Sequence, residues 1–312
     1  MKYIRILAVV LFIISAGSYA GLRFYYEQNL DDTAPVITCD SDAIEISTEE
    51  PESALLEGVA ALDDKDGDIT DEIAVEKIGP FLSDGSREIT YVVCDSFNNM
   101  GRAVRKLTYS DYEPPRFSIS TQLRFPAGKE LDLLQYLSVE DRLDGNLTGR
   151  IRLTYGYIPD LPEAGSYKLG YQVSNSAGDM AGIDLVVEIY DPEDMACTPS
   201  VNLSDYVVYI KKGKTFDPWR YMENVTIGST EYKFKKDSAR KSAGEGTKVN
   251  GLFGDPSNRE AEDKVIEELN YKDIHIENEA DTGKPGAYTV TYTIITQDRY
   301  IGRDTLSVIV YE

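Results

Sequence analysis

Gly283–Glu312 reads GKPGAYTVTYTIITQDRYIGRDTLSVIVYE, and these thirty residues decide the fold. Pro285-Gly286 signals a turn. Tyr288, Val290 and Tyr292 then alternate with Thr289 and Thr291, the period of a half-buried strand built from β-preferring residues. Gln297 to Gly302 supplies a polar turn, and Leu306, Val308 and Val310 alternate again up to Tyr311. Two such strands make a β-hairpin, which needs a partner sheet to be stable in water.

The same hairpin occurs twice earlier. Gly85 precedes Tyr91 by six residues, Gly165 precedes Tyr171 by six, and Gly286 precedes Tyr292 by six. A second strand closes each unit on Tyr109, Tyr190 and Tyr311, and Pro35 and Pro115 each stand 56 residues before their tyrosine. Self-similarity at this period marks a tandem array of modules.

Module one covers 33–111 and module two 113–191, joined by the proline-stiffened SDYEPP of Ser110 to Pro115. Module three covers 197–312. Its Gly213-Lys214-Thr215-Phe216-Asp217-Pro218-Trp219-Arg220-Tyr221-Met222 matches Gly128 to Leu137 of module two without a gap. Pro199 to Tyr292 is 93 residues, 37 more than in the other copies, and the excess falls near 228–271. Within that insertion Ser257 as N-cap and Glu260 three residues on predict a short helix carrying Val265, Ile266 and Leu269 on one face.

Residues 1–28 open with Lys2 and Arg5 and are apolar or small from Ile6 to Leu22. Two readings compete. Ser18-Tyr19-Ala20 offers the small residues of a cleaved signal peptide. Alternatively the segment stays as a membrane anchor flanked by Arg23, Phe24, Tyr25 and Tyr26. Either way the chain after about residue 30 is expected outside the cytoplasm.

The net charge is −22 over 312 residues, which repels nucleic acid and argues against a phosphate-backbone partner. An apolar content of 42 % suffices for packed cores. His275 is the sole histidine and lies between Ile274 and Ile276 on a strand pattern, so neither a Ser-His-Asp triad nor a histidine zinc site has its parts. Gly244-Glu245-Gly246-Thr247-Lys248 lacks the order of a phosphate loop. No enzyme activity and no cofactor are expected.

Three groups of residues invite a functional reading. Asp64, Asp66 and Asp68 offer oxygens at alternate positions, as a Ca²⁺ site would, although Gly67 and Val75 stand where an EF-hand needs other residues. The simpler reading is a tight turn in which Gly67 adopts unusual dihedrals and the aspartates bond the local backbone. Cys39 and Cys94, at opposite ends of module one, form a disulfide or remain two thiols; Cys197 is then the odd one. Lys233, Lys235, Lys236, Arg240 and Lys241 make a basic run in an acidic chain, facing either an anionic envelope polymer or a surface protein, or else the acidic Glu260, Glu262, Asp263, Glu267 and Glu268 that follow.

Pro-x-Ile at the module start, Asp-x-Asp-Gly-Asp-Ile-Thr in the middle and Gly-x-Tyr-x-Val-x-Tyr before an Asn/Gly turn resemble bacterial immunoglobulin-like surface domains, the tandem modules also found in some insecticidal crystal toxins. The resemblance covers nearly all of 33–312. It implies an all-β chain of three immunoglobulin-like sandwiches used as an extracellular spacer or adhesion array, with no catalytic residues. The chain is accordingly expected to be a non-catalytic surface protein presenting its third module to a partner. The alternative is a carbohydrate- or cell-wall-binding accessory protein, with Tyr221, Tyr232 and Trp219 as stacking aromatics. Trp219 aligns with Leu134, which favours burial for it.

Overall fold

A computed structural model describes residues 2–234, 267–269, 273–296 and 298–311. Apart from one N-terminal helix and short 3₁₀ turns, the described residues are β, arranged in six sheets that pair into three sandwiches. Each sandwich has its own core. The chain divides into two compact units, Met1–Tyr112 and Glu113–Glu312.

The first unit begins with the helix Lys2–Asn29. Module one follows as a three-stranded sheet of Val36–Cys39, Val59–Asp63 and Gly67–Asp68 over a four-stranded one. In the latter, Ala43–Ile46 runs parallel to Met100–Tyr109, which pairs with Arg87–Cys94 and through it with Ala74–Ile78. The hairpin alternation sets the core: Ile89, Tyr91 and Val93 are buried while Glu88 and Cys94 face out. The same strand face supplies Leu169, Tyr171 and Val173 in module two and Val290, Tyr292 and Ile294 in module three.

The second unit contains modules two and three. The gapless match between them is built as a repeated turn. Leu133–Tyr136 and Pro218–Tyr221 are both 3₁₀ turns, capped by Asp132 accepting from Leu134 N at 3.1 Å and Asp217 accepting from Trp219 N at 3.1 Å.

Within this unit modules two and three are joined by direct contacts. The Tyr209 hydroxyl accepts from Phe117 N at 2.5 Å and lies 3.3 Å from Phe117 O. Gln122 Nε2 donates to Val201 O at 3.0 Å, and Ser307 Oγ donates to Asp184 O at 2.9 Å. Val207 and Ile309 of module three pack against the core of module two.

The expected helix of the insertion lies outside the described residues except at its end, and there the structure differs. Glu267–Leu269 is a strand parallel to Thr230–Phe234, with Tyr232 opposite Glu267 and Phe234 opposite Leu269. Three residues beside an open sheet edge satisfy their backbone by pairing with it, and this overrides a weak helical preference.

Candidate metal centre

Beside the DDKDGD turn of module one, three carboxylates from three separate segments converge. Asp31 comes from the linker after the helix, Asp63 from the end of Val59–Asp63, and Asp95 from the residue following Arg87–Cys94. All three are buried, and one carboxylate oxygen from each lies within 4.8 Å of the others.

Local hydrogen bonds fix the orientation of each group. Asp31 Oδ1 accepts from Thr33 N at 3.0 Å, with the Thr33 hydroxyl 2.6 Å away. These bonds, helped by the charge of Lys65, hold the Asp31 carboxyl below the usual carboxylate range, so it is ionised at neutral pH. Asp63 Oδ2 accepts from Lys65 N and Asp66 N, both at 2.9 Å. Asp95 Oδ1 accepts from Phe97 N at 2.9 Å and Asn99 N at 2.7 Å, and its Oδ2 accepts from Asn99 Nδ2 at 2.7 Å. Asn99 Nδ2 also reaches Asp31 O at 3.0 Å, tying the linker to the hairpin turn.

The second oxygens are another matter. Asp31 Oδ2 and Asp63 Oδ1 are buried with no hydrogen-bond partner among the described residues. Three hard anionic oxygens at this spacing have the chemistry to hold a hard cation.

Asp64, Asp66 and Asp68, the trio weighed from the sequence, are not members of this cluster. Asp64 Oδ1 lies 2.6 Å from the Thr33 hydroxyl. Asp66 accepts from Ser96 N at 2.6 Å and Ser96 Oγ at 2.9 Å, while Asp68 accepts from Thr70 N at 3.0 Å and Thr70 Oγ1 at 2.6 Å. Asp68 bonds the chain locally, Asp64 and Asp66 reach Thr33 and Ser96 outside the turn, and Gly67 takes the left-handed φ of +77° expected of it. Asp63, one residue earlier, faces the other way. Sequence reasoning missed Asp31 and Asp95 because they are far apart along the chain. The signal that could have found them is a carboxylate four residues after the hairpin tyrosine.

Cys39 and Cys94 are two separate thiols in the structure, one of the two alternatives the sequence leaves. Cys39 packs against the module core, whereas Cys94 is exposed on the outward parity of its strand. Cys197 is also a free thiol. His275 is an exposed strand residue. Of the basic run, Lys235, Lys236, Arg240 and Lys241 lie outside the described residues, and Lys233 sits on Thr230–Phe234 opposite Glu268 in register. Tyr232 is in the core of module three, and Trp219 and Tyr221 pack half-buried against it, so these aromatics form no exposed stacking row.

No family model and no curated protein matches the chain. Solved structures similar to it include the CBM51-2 (in complex with GlcNAc) and INT domains of Clostridium perfringens ZmpB, at 15 % identity and a TM-score of 0.19 over 48 % of this chain and 26 % of that one. The protocadherin GammaB4 extracellular domain is similar at 14 % identity and TM-score 0.20, over 90 % of this chain and 51 % of that one. Drosophila N-cadherin EC1-4 is similar at 11 % identity and TM-score 0.22, over 91 % and 76 %. The chain thus spans a quarter to a half of the first two. At such scores the likeness carries nothing about function, which must come from the chain's own residues.

Proposed function

We propose that this protein is a non-catalytic, extracytoplasmic surface protein of a bacterium, held at the membrane by its N-terminus, whose immunoglobulin-like modules serve as a spacer or adhesion array. The observation that carries the reading is the helix Lys2–Tyr25, 24 residues, apolar, and buried nowhere by the modules. At 1.5 Å per residue it is about 36 Å long, enough to cross a hydrocarbon core of about 30 Å. Its exposed Ile, Leu, Val and Phe side chains would be costly in water, and a bilayer accounts for them.

The third module is the one offered to a partner, through the insertion at 228–271 with its basic run. An envelope polymer or an acidic surface protein has the matching charge. The sugar-stacking alternative has less support, because Tyr232, Trp219 and Tyr221 are spent on packing.

Surface labelling of intact cells, with fractionation of the full-length chain, tests the reading. Membrane association with the modules accessible to an impermeant amine reagent is expected. A cytosolic pool shielded from that reagent overturns it. Reversing Lys235, Lys236 and Arg240 is expected to abolish salt-sensitive binding to native envelope without changing the melting temperature.

A further inference from the structure

We propose that Asp31, Asp63 and Asp95 bind one Ca²⁺ ion, and that this ion clamps the linker after the N-terminal helix to module one.

Burial is the first reason. Asp31, Asp63 and Asp95 are only 6 %, 9 % and 7 % exposed, and an unpaired buried carboxylate oxygen is expensive. Asp31 Oδ2 and Asp63 Oδ1 are such oxygens. Lys65 is the basic residue at the cluster, but its ammonium donates to the Leu30 carbonyl and lies over the Phe97 ring at 5.5 Å. One ammonium at the rim leaves two of the three negative charges uncompensated, the charge of one divalent ion.

Spacing is the second. Oxygens around one Ca²⁺ stand about 2.3–2.6 Å from it, so any two are separated by at most about 5 Å. The 4.8 Å limit on this trio falls inside that bound. Local backbone and side-chain donors already hold one oxygen of Asp31 and of Asp63, which leaves the other preoriented. Ca²⁺ suits the site better than Mg²⁺, because an irregular set of carboxylates does not supply near-ideal octahedral geometry.

The sibling modules supply the third reason. Asp63 corresponds to Asp141, 78 residues on, and Asp95 to Asn175, 80 residues on. There the Asn175 carboxamide donates to Asp141 Oδ2 at 3.1 Å, while Asp141 Oδ1 accepts from Leu143 N and Asp144 N. Asp111, the counterpart of Asp31, is taken up by Ser47 Oγ and Thr48 N at 2.7 Å each. Module three has Thr296 at the Asp95 position. Module two therefore closes the same corner with an amide N–H, and module one presents a third carboxylate where that donor stands. A cation fulfils the donor's role in module one.

The consequence is mechanical. Asp31 is two residues beyond the helix end at Asn29, so an ion shared with Asp63 and Asp95 stiffens the joint between helix and module. A millimolar working range, typical of extracellular modules, rests on the extracytoplasmic reading; binding itself does not.

The test uses purified full-length protein in detergent, titrated with Ca²⁺ by calorimetry and melted in EDTA or in about 5 mM Ca²⁺. One equivalent of Ca²⁺ should bind and raise the melting temperature of the first unit by about 5 °C or more. Mg²⁺ should do so more weakly. Asp63→Asn should weaken Ca²⁺ binding at least about tenfold. The double change Asp95→Asn with Asn99→Asp recreates the Asn175/Asp179 pair of module two, so it should fold, melt normally in EDTA and ignore Ca²⁺. Asp66→Asn with Asp68→Asn should leave the Ca²⁺-induced shift in place. A wild type that melts identically in EDTA and Ca²⁺ overturns the site, and so does a module-two mimic that keeps the full shift. These readouts do not depend on where the protein resides in the cell.

Discussion

Tyr292 donates its phenolic hydrogen to the carbonyl oxygen of Pro218 at 2.6 Å, binding the hairpin of module three to the 3₁₀ turn on the opposite side of its core. Tyr91 makes the equivalent bond to Leu55 O at 2.7 Å in module one. Both tyrosines are fully buried. Burial raises both phenols above their ordinary value, so they remain donors at any physiological pH. Tyr292→Phe keeps the ring but strands a carbonyl. We expect a loss of about 1–3 kcal/mol, measured by denaturant unfolding.

Asp304 makes the second unit sensitive to pH. It is 5 % exposed, and burial pushes its carboxyl up to about 8, against the opposing hydrogen bond from Thr305 N and the charge of Arg124. The folded state therefore binds a proton that the unfolded state releases, and stability falls as pH rises from about 4 to about 8. Asp304→Asn removes the titration. Melting curves of wild type and variant should diverge with rising pH, the variant being the more stable at pH 8.

Arg299 has φ +71°, in the left-handed region where its counterparts are Asn98 and Gly178. A long side chain pays for that conformation and asparagine pays less. Arg299→Asn is expected to stabilise module three by about 0.5–1 kcal/mol, read as a higher midpoint in urea.

Gly302 has an ordinary φ but no room. A methyl group there would lie 2.3 Å from Pro199 O, and at Gly101 one would lie 2.1 Å from Pro35 O. Module two carries Ala181 at the same repeat position, so its first strand leaves space for a methyl. Gly302→Ala should cost at least about 1–3 kcal/mol by overpacking, whereas Ala181→Gly should cost less than 1 kcal/mol beyond the intrinsic glycine penalty. Paired unfolding curves separate the two.

The thiols bear on stability in a way that is simple to check. Cys94 is exposed and Cys39 core-facing, so reducing agent should leave the melting curve of the first unit unchanged and Cys94→Ser should be neutral. A shift of several degrees on reduction would require a bridge that this strand parity opposes.

By itself the sequence determined whatever depends on local period and composition. Alternation around Tyr91, Tyr171 and Tyr292 specified the hairpins, because a strand turns its side chains to opposite faces every residue and only one parity can be buried. The gapless match at Gly213 located a capped turn, since Asp217 and Asp132 bond the backbone within two residues. The apolar run from Ile6 to Leu22 marked the segment that forms the N-terminal helix. What only the tertiary structure decided are the relations between distant segments. Asp31, Asp63 and Asp95 meet because the linker, a strand end and a hairpin turn arrive at one corner of a sandwich, 64 residues apart from first to last. The Asp64, Asp66 and Asp68 motif invited a site reading because its oxygens are close in sequence, whereas the cluster forms from Asp63 and two carboxylates outside the turn. Cys39 and Cys94 share a module but not a facing direction. The joint between modules two and three rests on Tyr209 meeting Phe117 across 92 residues. Local order follows from steric periodicity within a few residues, whereas a site made of charges follows from chain closure, which no window along the sequence contains.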